Sequence, residues 1–120
     1  GWLNITGAIE KSCNFFFYTI GTRMDIDVLA KYAKYFGLGV KTGVELPSEV
    51  AGSVASRETA EKNNHSWQPG DMMSAVIGQS YNAFTPLQMA KYISMVANGG
   101  NKITPTIVES VIRADGTEVP

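Results

Sequence analysis

One cysteine and one histidine stand in 120 residues, and that scarcity removes several chemistries at once. Cys13 cannot close an internal disulfide, and a single Cys with a single distant His cannot build a CxxC or HExxH metal site, so no such metal site is expected. No apolar run approaches the roughly 20 residues that a membrane-spanning helix needs, and no charged stretch followed by an apolar one opens the chain as a signal peptide would. No contact of this segment with a membrane is expected. Charge of one sign is also lacking: ten Lys plus Arg face eleven Asp plus Glu, for a formal net charge of −1. Without a basic cluster to track a phosphate backbone, nucleic acid is excluded as a partner.

What is present suits a folded chain. Hydrophobic residues make up 44% and charged residues 18%, the balance of a globular domain with one core at most. The first residue is not Met and the sequence stops at Pro120, so the expectation is a part of a longer protein.

Apolar spacing and capping residues predict the elements. "ITGAIEK" (5–11) reads as a short helix, Asn14 as the N-cap of a second through "FFFYTIG", and Ser12 to Asn14 as the connection between them. "DIDVLAKYAKYFG" is the clearest amphipathic helix, capped by Asp25 and ended by Gly37 and Gly39. Residues 37–56 read as loop with one short extended piece, Val40 to Leu46, and Ser56 to Lys62 as a helical turn or two. "MMSAVIG" is too short and apolar for periodicity to decide. Thr85-Pro86-Leu87-Gln88 combines an N-cap, a proline at the first helical position and a capping-box glutamine, which predicts a helix over 86–97 stopped by Asn98-Gly99-Gly100. That helix is apolar nearly all round and is expected to be buried, with Lys91 reaching to solvent. The aromatics Phe15 to Tyr18 and Tyr32, Tyr35 and Phe36 read as core, and Trp67 as a residue able to line a groove. A hairpin closes the chain around Asp115-Gly116. The expected architecture is mainly α, with four or five helices and a small C-terminal β-hairpin.

Three short motifs compete for function. Ser12-Cys13-Asn14 and Ser80-Tyr81-Asn82 are both Ser-x-Asn, and Lys41-Thr42-Gly43 is the triplet that penicillin-recognising serine acyl-transferases carry beside their nucleophile. Alone each is weak, because chance produces such triplets. The flanks distinguish them. "AIEKSCNFFFY", "YFGLGVKTGVELPSEVAG", "IGQSYNAFTPLQMAKYISMVANGG" and "TPTIV" resemble, in order and spacing, the transpeptidase domain of class B penicillin-binding proteins over nearly the whole chain. One departure is Ser80, where that family more often has Gly, which bears on turn geometry and on no chemistry.

The resemblance implies the helical part of an α/β serine transpeptidase (β-lactamase-like) domain filling 1–120, with Ser12 and Asn14 as the second of three catalytic motifs. It implies that Ser12 relays a proton between the motif lysines and the leaving nitrogen, and that Asn14 orients the substrate amide. The implied substrates are the D-Ala-D-Ala stem peptide of peptidoglycan and β-lactams, the implied setting is extracytoplasmic, in a parent anchored to the bacterial membrane, and no cofactor is called for. None of the nine serines has Lys three positions later, so the nucleophilic Ser-x-x-Lys element is expected upstream and the catalytic Lys-Thr-Gly downstream. Lys41-Thr42-Gly43, hemmed by Gly39 and Pro47, then reads as a decoy with Lys41 solvated and Gly43 serving a turn. Other readings are a non-catalytic helical module that binds protein or glycan, a Cys13 nucleophile that would need His65 as base, and a phosphate loop. The last fails because Val40 stands where a Walker motif requires Gly. Apolar surface left uncovered is expected to pair copies of the chain.

Overall fold

In the computed structural model, which describes residues 2–119, six helices and one two-stranded sheet follow in order. They are α1 (Ile5–Glu10), α2 (Asn14–Gly21), α3 (Ile26–Tyr35), α4 (Arg57–Lys62), α5 (Asp71–Val76), α6 (Pro86–Ala97), β1 (Val111–Ile112) and β2 (Glu118–Val119). Six helices replace the expected four or five, because the undecided apolar run became α5. The caps explain the boundaries. Asp25 accepts from the Asp27 N–H at 2.8 Å, Ser56 accepts from Thr59, and Thr85 and Gln88 close a full capping box.

Five helices end in one device. The N–H two residues beyond the C-cap reaches back five residues, as in Cys13 to Ala8 at 2.9 Å, Leu38 to Ala33, His65 to Ala60, Gln79 to Ser74 and Gly100 to Met95. This Schellman closure requires a left-handed residue just before that N–H, and those residues are Ser12, Gly37, Asn64, Gly78 and Gly99. Three are glycines and one is asparagine, the types that tolerate positive φ. Ser12, at φ 47°, is the exception.

The core is small. Ile26, Ala55, Met72 and Ala75 form one buried cluster, flanked by Leu29, Trp67, Val76 and Tyr81, while Ala30, Leu38 and Val54 form another against Phe84 and Tyr92. Between them the connecting segments are tied by polar groups. Ser53 and Ala83 form an isolated antiparallel bridge, and Gly52 lies so close that a Cβ there would stand 2.3 Å from the Ala83 carbonyl oxygen. Gln88, with 0% exposure, sends its Nε2 to the carbonyls of Val40 (2.7 Å) and Ala51 (2.8 Å), while its Oε1 accepts from the Thr85 N–H. One buried carboxamide thus seats the 37–53 loop on α6.

Several expectations need correction. α6 buries Gln88 and Met95 but leaves Met89, Ile93 and Val96 exposed, because nothing among the described residues packs on that side. Phe15 is 79% exposed, and Tyr32 and Tyr35 are more than half exposed, so these aromatics are not core. Lys91 is only partly exposed: its Nζ donates to the Thr42 carbonyl at 3.1 Å, and its stem lies over Gly37. The radius of gyration, 18.5 Å, exceeds the roughly 14 Å of a compact chain this long. Extents of 65 × 37 × 18 Å describe a flat, elongated slab.

Candidate active site

Ser12-Cys13-Asn14 occupies the turn from α1 into α2. α1 starts on Asn4, whose side chain accepts from the Gly7 N–H at 2.9 Å, and closes through Ser12 N–H to Ile9 and Cys13 N–H to Ala8. The next helix begins at once. Cys13 is its N-cap residue without a side-chain capping bond, and its carbonyl already accepts from Phe16 at 3.1 Å and Phe17 at 3.4 Å. One residue therefore ends α1 and begins α2. Asn14, expected as the N-cap in a connection, instead has helical geometry at the first position of α2, and its carboxamide is not consumed as a cap.

The structure thus places Ser12 and Asn14 two residues apart on one exposed turn, Ser12 left-handed and Asn14 helical. Their hydroxyl and carboxamide make no hydrogen bond to any described residue; the turn is held by backbone bonds alone. Beside it lies an open apolar groove of about 580 Å³, lined by Trp2, Leu3, Cys13, Phe15, Phe16 and Ile20. α2 in turn is fixed against α5. A Cβ on Gly21 would stand 3.1 Å from Val76 Cγ1, so the two helices meet at near-minimum separation and the turn inherits the position of α5.

The other triplets are hydrogen-bonded into the fold. Thr42 is 3% exposed, and both its N–H and its hydroxyl donate to Glu49 Oε1 at 2.6 Å, while the Gly43 N–H donates to Glu49 Oε2. The Thr42 hydroxyl and then its N–H hold the Glu49 carboxyl below the usual carboxylate range. Lys41 is exposed and Gly43 turns the chain at φ 87°. Asn82 of the second Ser-x-Asn accepts from the Ala55 N–H and donates to the carbonyls of Ala75 and Gln79, which seals the end of α5. Ser80 keeps a left-handed φ of 66°, the geometry a glycine would adopt freely.

His65, the base that a Cys13 nucleophile would need, is half-buried and engaged elsewhere. Its Nε2 lies 2.8 Å from Asp71 Oδ2, which also accepts from the Gln68 N–H; the Gln68 amide first, and His65 second, hold the Asp71 carboxyl low. Trp67, read from sequence as a groove residue, packs on the Ile26 cluster and also lines a surface groove with Met72 and Arg57. No group of three or more His, Cys, Asp or Glu that could hold a metal occurs among the described residues. The feature that sequence reading missed is the backbone strain at Ser12. Its only signal was a serine where the other helix ends carry Gly or Asn.

Residues 1–120 match the family model described as the penicillin binding protein transpeptidase domain. Peptidoglycan D,D-transpeptidase MrdA of Escherichia coli K12 is 36% identical over 121 residues, covering 100% of this chain and 19% of that protein. Penicillin-binding protein H of Bacillus subtilis is 35% identical over 127 residues, covering 92% and 17%. Among solved structures, Pseudomonas aeruginosa PBP2 in complex with WCK 5153 superposes with a TM-score of 0.85 at 28% identity, over 100% of this chain and 29% of that one. Helicobacter pylori PBP2 in complex with MreC gives 0.81 at 35% identity, over 87% and 20%. The chain spans about a fifth of the length of the curated relatives it matches. A family match that runs from end to end, with backbone superposition to match, leads to one assignment: this chain belongs to the transpeptidase-domain family of the class B penicillin-binding proteins.

Proposed function

We propose that the chain is the helical part of an α/β D,D-transpeptidase domain that cross-links peptidoglycan through a serine acyl-enzyme, and that it contributes the Ser-x-Asn motif. In the reaction a serine attacks the carbonyl of the penultimate D-Ala, the bond to the terminal D-Ala breaks, and an amine of a neighbouring stem peptide then takes the acyl group from the serine. Ser12 Oγ passes the proton to the leaving nitrogen, and the Asn14 carboxamide, with both donor and acceptor, aligns the substrate amide. The pairing of Ser12 with Asn14 is the observation that carries this reading. On one exposed turn beside an apolar groove, hydroxyl and carboxamide both lack a hydrogen-bond partner among the described residues, whereas the second Ser-x-Asn has its Asn82 carboxamide consumed by three hydrogen bonds within the fold.

The work is extracytoplasmic, where peptidoglycan lies, in a parent anchored to the bacterial membrane. Stem peptides and β-lactams are the small partners. The Helicobacter pylori relative was solved with MreC, and another relative within a peptidoglycan synthase complex, so a scaffold of that kind is the macromolecular partner proposed here. The nucleophile is none of the nine serines, so this chain alone is inactive.

Fluorescent penicillin tests the reading. The chain alone takes up no label, whereas a longer chain with the upstream Ser-x-x-Lys and downstream Lys-Thr-Gly is acylated. In that longer protein Asn14→Ala lowers acylation far more than Lys41→Ala. Equal losses, or labelling of the chain alone, would overturn it.

A further inference from the structure

Of the seven asparagines only Asn98 is followed by glycine. That pairing exposes the side-chain amide carbon to the next backbone nitrogen, because glycine brings no Cβ to crowd the approach. Asn98 is the exposed C-cap of α6, and the structure holds it in a reciprocal clasp. Its Oδ1 accepts from the Asn101 N–H at 2.9 Å, its Nδ2 donates to the Asn101 carbonyl at 3.0 Å, and Asn101 Nδ2 donates back to the Asn98 carbonyl at 2.8 Å.

We propose that Asn98-Gly99 is a latent self-modification site, a succinimide-forming asparagine that the clasp with Asn101 holds shut. In the open state the Gly99 nitrogen gives up its proton to solvent and attacks Asn98 Cγ. The Cγ–Nδ2 bond breaks and the nitrogen leaves as ammonia, closing a five-membered imide. Water then opens the ring at either carbonyl, giving aspartate or isoaspartate; no electrons change hands and water is the only co-reactant. In the folded chain the attack is barred by geometry. At ψ 13° the Gly99 nitrogen lies away from the Asn98 side chain. The rotation that would bring it beneath Cγ pulls Asn98 out of all three clasp bonds and disturbs the 2.7 Å bond from the Gly100 N–H to Met95. Reaction therefore passes through a frayed end of α6. The product cannot close the clasp again, since a carboxylate has no proton to give the Asn101 carbonyl and sets negative charge at the negative end of the helix dipole.

The test is peptide mapping by mass spectrometry of the full chain held in mildly alkaline buffer, folded and in urea. Conversion of Asn98 is expected to be at least roughly tenfold slower in the folded chain, as local opening must precede it. Asn101→Ala, which removes the bond back to the Asn98 carbonyl, is expected to raise the folded-state rate several-fold with helix content unchanged. Equal rates in the folded and unfolded chain, or a folded Asn101→Ala chain that converts no faster, would overturn the proposal. Should that variant unfold, the unaltered chain decides the matter in graded urea. Conversion that accelerates before the global transition supports the clasp, and conversion that follows global unfolding alone refutes it.

Discussion

At the residue scale, two polar side chains have opposite relations to stability. Gln88 is wholly committed to the fold: its amide donates to two loop carbonyls and its oxygen accepts in the capping box. Gln88→Leu strands those buried carbonyls, and urea titration should show a loss of about 2–4 kcal/mol, the cost of breaking a buried network. Ser12 is the reverse, its hydroxyl free and its backbone strained. Ser12→Gly should raise stability by roughly 0.5–1 kcal/mol, as the left-handed penalty outweighs the added chain entropy. In the longer enzyme the same change should cost a factor of roughly 10²–10⁴ in penicillin acylation, the range for removing a proton-transfer group. Ser80→Gly is the matched control: the same relief of positive φ with acylation unchanged. Neither role of Gln88 beyond the cap was legible in the sequence, because its partners are carbonyls far away along the chain. Thr85, Pro86 and Gln88 were legible as a helix start because a cap is a local contract among neighbours.

At the element scale, α3 and α4 are joined by charge. Arg57 at the start of α4 forms ion pairs with Asp25, at 2.7 Å, and with Asp27. The Arg57 guanidinium first, and the Asp27 N–H second, pull the Asp25 carboxyl down to about 2. A depressed carboxylate contributes stability that is complete above its unfolded value of 3.8 and lost as pH falls through the folded one. Thermal midpoints should hold steady above pH 5 and fall between about pH 4 and 2, and Arg57→Gln should flatten part of that fall. A profile unchanged in Arg57→Gln would show that the pairs contribute nothing. The caps at Asp25 and Thr85 and the glycine stops were readable in advance. The start of α2 was not, because capping preference favoured Asn14 while the closure of α1 had already taken Cys13 as the junction.

At the scale of the whole molecule, the slab sets the behaviour. Val28, Tyr32 and Tyr35 on α3 and Ile93 and Val96 on α6 remain exposed, and nothing among the described residues covers them. Periodicity showed that these faces were apolar, but it carries no information about what lies on the other side. The free chain should bind the dye ANS under native conditions, and the pair Ile93→Lys and Val96→Lys should reduce that signal; an absence of dye binding would contradict the exposed faces. The two carbonyls held by Gln88 also set an order of events. They lie 48 and 37 residues upstream of their donor, so on a growing polypeptide the 37–53 loop must wait, unanchored, until the ribosome has delivered the helix that seats it.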